Sequence, residues 1–101
     1  MKYDVILTQY AEEAFRNLER TQRIKLQSDY KTIKEIGTDG FNIKGLGNKL
    51  FEIKTDNLRS IFEYRKGQII VVALIFVKKT QKTPPKYLKL AKNILEKFEK
   101  E

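Results

Sequence analysis

The segment LFEIKTDNLRSIFEYRKGQIIVVALIFV (Leu50–Val77) contains three strand patterns separated by two tight turns. Residues Leu50–Thr55 alternate between apolar and polar side chains, which is typical of a strand with one buried face. The dipeptides DN and KG then lead into two further strand patterns, Leu58–Arg65 and Gln68–Val77. Because two short turns join the three strands, we expect an antiparallel meander. The last strand is apolar at every position after Gln68, so it must be a central strand with both faces covered.

The rest of the chain supplies a further strand and the helices. Thr8, Thr21 and Thr83 are the predicted helix N-caps, and the glycine-rich segment Gly37–Lys49 is predicted to be a loop. The predicted elements are a strand over Lys2–Thr8, a helix over residues 9–20, a second helix over residues 21–36 and a final helix with Pro84 at its first position. The first two helical segments could form either one bent helix or a helical hairpin. The order is β-α-α-β-β-β-α, an α+β domain with helices packed on a mainly antiparallel sheet. Its length makes residues 1–101 a single domain.

The composition limits the kinds of site that the chain can form. The chain has no cysteine and no histidine, so we expect no disulfide and no zinc site. It also lacks the sequence motifs of nucleotide-binding loops and of EF-hands, and we expect no metal and no other cofactor. The longest apolar run, Ile69–Val77, is about half of what a membrane helix needs, and the start MKYDVIL is too short and too charged for a signal peptide. No membrane association and a cytoplasmic location are therefore expected.

The net charge of +8 lies entirely in residues 41–101. Within residues 41–101, the segment FVKKTQKTPPKYLKLAKN (Phe76–Asn93) carries six lysines and no acid. Crowded lysines repel one another unless an anion lies among them, so this segment indicates a polyanionic partner.

Two pairs of charged residues are open to two interpretations. Glu52 and Lys54 share one face of a strand, where they could form a surface ion pair or face a site. Arg59 and Arg65 project on the same side of the next strand, where they could face phosphates or form an ion-pair ladder through Glu63.

A nearby glycine-rich run has one favoured interpretation. GLGNK (Gly45–Lys49) is too short for a phosphate-binding loop and is interpreted as a turn.

RNA cleavage without histidine is physically possible. Attack of the 2′-OH on the neighbouring phosphate creates a phosphorane with extra negative charge, which lysines and arginines can stabilise. A lysine whose pKa is lowered by neighbouring cations can also serve as the base.

Three segments carry a family resemblance: KGLGNKLFEIK (Lys44–Lys54), LRSIFEYR with its Arg59, and FVKKTQKTPPKYLKLAKN. Together they resemble the RelE/ParE superfamily of bacterial toxins, and the phage-derived HigB-like branch most closely. Phe51 stands where that branch usually has tryptophan, and VALIF lacks a histidine often seen there.

The resemblance implies a small RelE-like fold and the toxin of a type II toxin–antitoxin pair. Such toxins often cut mRNA in the ribosomal A site without a metal. By position, Lys54, Arg59, Lys78 and Lys79 match basic residues of the site, and Glu52 and Gln81 are expected to orient them. The further lysines and arginines expected to hold mRNA and ribosomal RNA are Lys44, Lys49, Arg65, Lys66, Lys82 and Lys86. Tyr87 has helical core spacing but falls near a tyrosine used in the RelE branch.

The leading hypothesis is therefore a ribosome-dependent mRNA endonuclease. The expected partners are mRNA, the ribosome and a cognate helix-turn-helix antitoxin, with operator DNA contacted only through that antitoxin. The alternatives are a ParE-like gyrase inhibitor without nuclease activity and a simple RNA-binding module.

Overall fold

A five-stranded mixed sheet with helices on both faces forms the body of the protein. The computed structural model describes residues 2–79 and 82–99. In chain order its elements are β1 (Asp4–Leu7), α1 (Gln9–Arg16), α2 (Arg20–Ile36), β2 (Ile43–Gly47), β3 (Leu50–Thr55), β4 (Leu58–Arg65), β5 (Ile69–Val77) and α3 (Pro85–Glu99).

The predicted meander is confirmed. The strands lie in the order β1-β5-β4-β3-β2, in which β3, β4 and β5 pair antiparallel through their short turns. The first strand pairs with β5 in parallel, which makes β5 the central strand that its apolar sequence predicts. The α+β class with helices on a mainly antiparallel sheet is thus confirmed.

Each face of the sheet has its own core. On one face, called here the α1/α2 face, Leu26 and Ile33 of α2 pack against Phe62 and Val72. The other face, called here the α3 face, packs Ala91 and Leu95 against Ile61, Val71 and Ala73. The side chains of β5 enter both cores, alternating except at Ala73 and Leu74, which both join the α3-face core at a register irregularity. Its continuous apolar sequence is therefore satisfied on both sides.

The predicted loop between α2 and β3 is wrong in part. Residues Ile43–Gly47 form the edge strand β2, with a register irregularity between Gly45 and Gly47. Glycine lowers strand propensity and so hid this strand, which forms because β3 offers an unpaired edge. Asn48 and Lys49 have positive φ angles of 53° and 67°, as a tight hairpin turn requires. The interpretation of GLGNK as a turn is confirmed at these residues.

Two of the predicted caps are wrong. α2 begins at Arg20 rather than after Thr21, because Glu19 and Gln22 form a capping box. α3 begins at Pro85, so Pro84 precedes the helix. The hydroxyl of Thr83 donates to Glu52 instead of capping α3. The cap at Thr8 is confirmed, since its side chain accepts a hydrogen bond from the backbone N–H of Ala11.

The third helix runs lengthwise over its face of the sheet. Thr83, just before the helix, bonds Glu52 in β3, while Leu95 near its other end accepts a hydrogen bond from Arg65 in β4. The α3 face is therefore spanned from the Glu52 end to the Arg65 end. Over residues 2–79 and 82–99, the helices are all too short or too polar to cross a membrane.

Candidate functional site

A buried carboxylate organises the basic end of the α3 face. Glu52 is 4% exposed, and its Oε2 lies 3.9 Å from Arg59 Nε and 3.9 Å from Lys78 Nζ. Its Oε1 accepts a hydrogen bond of 2.5 Å from the Thr83 hydroxyl. Burying a carboxylate costs several kcal/mol unless charge and hydrogen bonds compensate it, and here both are present. We call these four residues the Glu52 cluster.

Strand pairing brings the two cations together. Arg59 is the cross-strand partner of Lys54 on one side and of Phe76 on the other, so the three side chains share the α3 face. Lys78, two residues after Phe76, falls on the same face by strand alternation. Its backbone N–H donates to the Asn57 carbonyl at 2.8 Å, which extends the ladder beyond β5 and holds Lys78 beside Arg59.

The guanidinium of Arg59 is held on a second side. Its Nη1 donates to the backbone carbonyls of Asp56 and Leu58, each at 2.8 Å, so the β3–β4 turn and Glu52 hold it between them. The Arg59 side chain is 12% exposed and that of Lys78 is 11% exposed. Both cations are therefore preorganised, with only their edges open to a ligand.

The cluster carries a net positive charge. One carboxylate faces two cations, which leaves one positive charge within the cluster. Lys54, exposed and directly across from Arg59, adds another. A surface of this kind attracts phosphate groups, and a guanidinium can bind them through two parallel hydrogen bonds.

An aromatic pair borders the cluster on its α3 side. The ring of Tyr87 stacks on Phe76 with centroids 4.3 Å apart and planes inclined by 24°. The Nζ of Lys86 lies 5.3 Å from the centroid of the Tyr87 ring. Tyr87 is half-buried and packs against the core of the α3 face, as its helical spacing predicts.

Most of the predicted catalytic residues meet in one place. Glu52, Arg59 and Lys78 form ion pairs, and Lys54 lies beside them. Lys79, exposed, follows in the chain. Gln81 lies outside the described residues.

The predicted RNA-binding residues divide into two groups. Lys44 is the cross-strand partner of Glu52 on the edge strand, and Lys82 and Lys86 flank Thr83 in the chain. The others lie at the opposite end of the sheet: Lys49, Arg65 and Lys66. Arg65 follows Arg59 by six positions along β4, a distance of about 20 Å.

Arg65 lies at the other end of β4 from Arg59 and has different partners. Its Nε lies 3.4 Å from Glu63 Oε1, and its Nη2 donates to the Leu95 carbonyl at 3.1 Å. Its guanidinium carbon also lies 5.6 Å from the centroid of the Phe98 ring. Of the two interpretations left open by the sequence, this geometry is that of an ion pair with Glu63.

The sequence patterns did not predict Thr83 as part of the site. The Thr-Pro sequence before a helix indicates a cap, and no local pattern links a hydroxyl to a carboxylate 31 residues away in the chain. Among residues 2–79 and 82–99, no cluster of three or more Asp, Glu, His or Cys could hold a metal ion.

The fold and the site can be compared with known proteins. A family model described as "Phage derived protein Gp49-like (DUF891)" matches residues 9–96. The chain belongs to this family. A comparison with curated protein sequences found no significant match for the Gp49-like protein.

Similar solved structures come from RelE toxins and their complexes. A double mutant of the E. coli toxin RelE in the free state has a TM-score of 0.66 and 17% identity, over 93% of this chain and 99% of that chain. A chain of the archaeal RelE–RelB complex from Pyrococcus horikoshii has a TM-score of 0.62 and 15% identity, over 78% of this chain and 98% of that chain. A chain of the toxin–antitoxin complex RelBE2 from Mycobacterium tuberculosis has a TM-score of 0.57 and 12% identity, over 77% of this chain and 100% of that chain.

These likenesses establish the fold of this Gp49-like protein as that of RelE toxins. The family model confirms the expected phage-derived family, and the solved structures confirm the expected RelE-like fold.

Proposed function

We propose that the protein is the toxin of a type II toxin–antitoxin system and acts in the cytoplasm as a ribosome-dependent, metal-independent mRNA endonuclease. The observation that carries this proposal is the pair of preorganised cations, Arg59 and Lys78, held by one buried carboxylate on the α3 face of a RelE fold.

The cluster suits the charge that develops during RNA cleavage. Attack of a 2′-OH on the adjacent phosphate forms a P–O2′ bond and breaks the P–O5′ bond, which leaves a 2′,3′-cyclic phosphate and a 5′-oxygen that takes up a proton from solvent. Negative charge builds on the phosphate oxygens during this step, and fixed cations stabilise that charge without reorganising. In this mechanism Arg59 and Lys78 contact the phosphorane, with Lys79 as a further cation. Lys54 is the base or a second phosphate contact, and Glu52 orients the cations. Gln81 is proposed as a further orienting group.

The surrounding lysines are proposed to hold RNA backbone. Lys44, Lys82 and Lys86 adjoin the cluster, while Lys49 and Lys66 would extend the contact along the sheet by about 20 Å. Arg65 is engaged by Glu63 and α3, so an RNA contact there would use the exposed 17% of its side chain.

The proposed protein partner is a cognate helix-turn-helix antitoxin, through which alone the complex would contact operator DNA. Its support is that similar folds occur in structures of RelE–RelB and RelBE toxin–antitoxin complexes.

Primer extension on translated mRNA after induction tests the proposal. Wild-type protein should produce new cuts that require translation, and Arg59→Ala should remove both the cuts and the growth arrest. Arg20→Ala is the matched control, because Arg20 is an exposed cation on α2, across the sheet from the cluster. Absence of ribosome-dependent cuts while growth still stops would overturn the proposal.

The same experiment separates the alternatives. Growth arrest without cuts, together with inhibited DNA supercoiling, would indicate a ParE-like gyrase inhibitor. RNA binding with neither effect would indicate a simple RNA-binding module.

A further inference from the structure

The hydroxyl of Thr83 contacts the centre of the Glu52 cluster although its backbone belongs to the segment before α3. Its Oγ1 donates to Glu52 Oε1 at 2.5 Å, and the two residues are 9% and 4% exposed. A short O–H···O⁻ hydrogen bond to an ionised carboxylate is among the stronger side-chain contacts in a protein. This bond therefore fixes one oxygen of the carboxylate.

The other oxygen holds both cations. Arg59 Nε and Lys78 Nζ each lie 3.9 Å from Glu52 Oε2. The terminal torsion of a glutamate is soft, so a carboxylate without a fixed hydrogen bond can rotate over a wide range. Because the two cations face the same oxygen, one rotation would displace the anion from both of them.

The remaining contacts hold the cations but do not orient the carboxylate. Arg59 Nη1 is fixed by the carbonyls of Asp56 and Leu58, and the Lys78 backbone is fixed by Asn57. Within residues 2–79 and 82–99, the short hydrogen bond to the Glu52 carboxylate comes from Thr83. The orientation of Glu52 thus depends on where the segment preceding α3 lies.

We propose that Thr83 is a positioning residue of the endonuclease site. Its hydroxyl orients Glu52, and Glu52 then holds Arg59 and Lys78 where both can face the scissile phosphate. This inference rests on the proposed function and adds a residue that contacts neither RNA nor the reacting atoms. It also ties the start of α3, with Lys86 and Tyr87, to the two cations.

Three variants of the full chain test the inference. Thr83→Val removes the hydroxyl and keeps the shape, and Thr83→Ser restores a hydroxyl. Thr55→Val is the matched control. Thr55 is 6% exposed, and its hydroxyl donates a hydrogen bond of 2.6 Å to Asp29. It lies on the same strand as Glu52, but its side chain is on the α1/α2 face. The Thr55→Val substitution removes a partly buried hydrogen bond from a buried threonine hydroxyl to a carboxylate, away from the cluster.

The measurement is single-turnover cleavage of mRNA on purified ribosomes with an empty A site, over a range of toxin concentrations. Thr83→Val should lower the maximal rate roughly tenfold or more, since small misplacement of catalytic groups has effects of that order. The half-saturating concentration should stay within about threefold, because binding by the other lysines is retained. Thr83→Ser should recover most of the rate, and Thr55→Val should cleave at the wild-type rate when folded.

A second measurement follows the cations directly. The Arg59 Nε–H signal in an NMR spectrum should move in Thr83→Val and remain in place in Thr55→Val. A wild-type rate in Thr83→Val, no recovery in Thr83→Ser, or equal loss in Thr55→Val would overturn the inference. A wild-type protein that does not cleave would overturn the proposed function and this inference together. The reaction of the wild-type protein, run beside the variants, distinguishes that case from failure of the inference alone.

Discussion

Glu52 shows how one buried charge can set the properties of its neighbours. Its side chain is 5% exposed and faces two cations that are 12% and 11% exposed, so all three charges have lost most of their water. Removing one member of such a group is costly because the others remain buried without compensation. The same arrangement that makes the cluster suitable for phosphate makes it sensitive to substitution.

Glu52→Gln should therefore lower the free energy of unfolding by about 3 kcal/mol, because it leaves Arg59 and Lys78 without their anion. Urea denaturation measures this. Glu12→Gln is the control, since the Glu12–Arg16 pair lies 3.7 Å apart with side chains 57% and 70% exposed, and such pairs contribute little. An equal loss in both variants would contradict the role of burial.

Tyr30 is a second buried polar group, on the α1/α2 face. Its hydroxyl lies 2.7 Å from the Ser60 hydroxyl, and Tyr30 is 6% exposed. Burial raises the pKa of the phenol above its ordinary value near 10, with the Asp29 carboxylate adding to the rise against the opposing Ser60 hydrogen bond. The folded state therefore keeps the phenol proton at pH values where the unfolded chain loses it.

The stability that this phenol contributes should be complete below pH 10 and should fall as the pH rises above it, since the unfolded state then binds fewer protons. Tyr30→Phe should remove this part of the pH dependence, at a cost of about 1 kcal/mol near neutral pH for the lost hydrogen bond. Urea unfolding of both proteins from pH 8 to 11 measures the difference. If the unfolding free energies of the two proteins fell in parallel above pH 10, the assignment of this pH dependence to Tyr30 would be contradicted.

At the scale of elements, the start of α2 is decided by a local motif. Glu19 and Gln22 each bond the backbone of the other, which satisfies two N–H groups that the first turn leaves open. The helix needs this cap because it carries the residues of the α1/α2 core, Leu26, Tyr30 and Ile33.

Glu19→Ala should consequently destabilise the protein by about 1 kcal/mol. Thermal or urea unfolding measures the change. Glu35→Ala, an exposed acid in the last turn of the same helix, is the control and should have no destabilising effect, because an acid is unfavourable at a helix C-terminus. Similar losses in both variants would contradict the role of the cap, because alanine is the stronger helix former and cannot destabilise either position through helix propensity.

At the scale of the whole molecule, the placement of charge governs how it would meet RNA. The net charge is +8, and the cations of the Glu52 cluster lie on the face opposite α1 and α2. Phosphate contacts release counterions, so affinity for RNA falls steeply as salt rises.

Binding of a single-stranded RNA should show a linear fall of log K with log salt concentration, measured by fluorescence anisotropy. Arg59→Ala should reduce the slope by about 0.7, the value of one phosphate contact on a single strand. Arg20→Ala, on the far side, should leave the slope unchanged. Equal changes in the two variants would indicate that RNA responds to the net charge of the protein and does not bind preferentially to the α3 face.

The meander, the central strand and the helices could be predicted from local patterns, because these elements depend on side-chain period and on turn residues within a few positions. The bounds Leu50–Thr55 and Leu58–Arg65 agree with the structure for that reason. The edge strand β2 was missed because its pairing with β3, and not its own glycine-rich sequence, makes it a strand.

The partners of the charged side chains could not be predicted from local patterns, because they depend on how the elements pack together. In sequence, Arg59 and Arg65 are equivalent arginines on one side of a strand, and Thr83 is a helix cap. In the fold, Arg59 meets Glu52 and Arg65 meets α3, because the helix crosses the sheet from one end to the other. Thr83 reaches Glu52 across 31 residues of chain for the same reason. Such pairs depend on distances between elements, which no local pattern encodes.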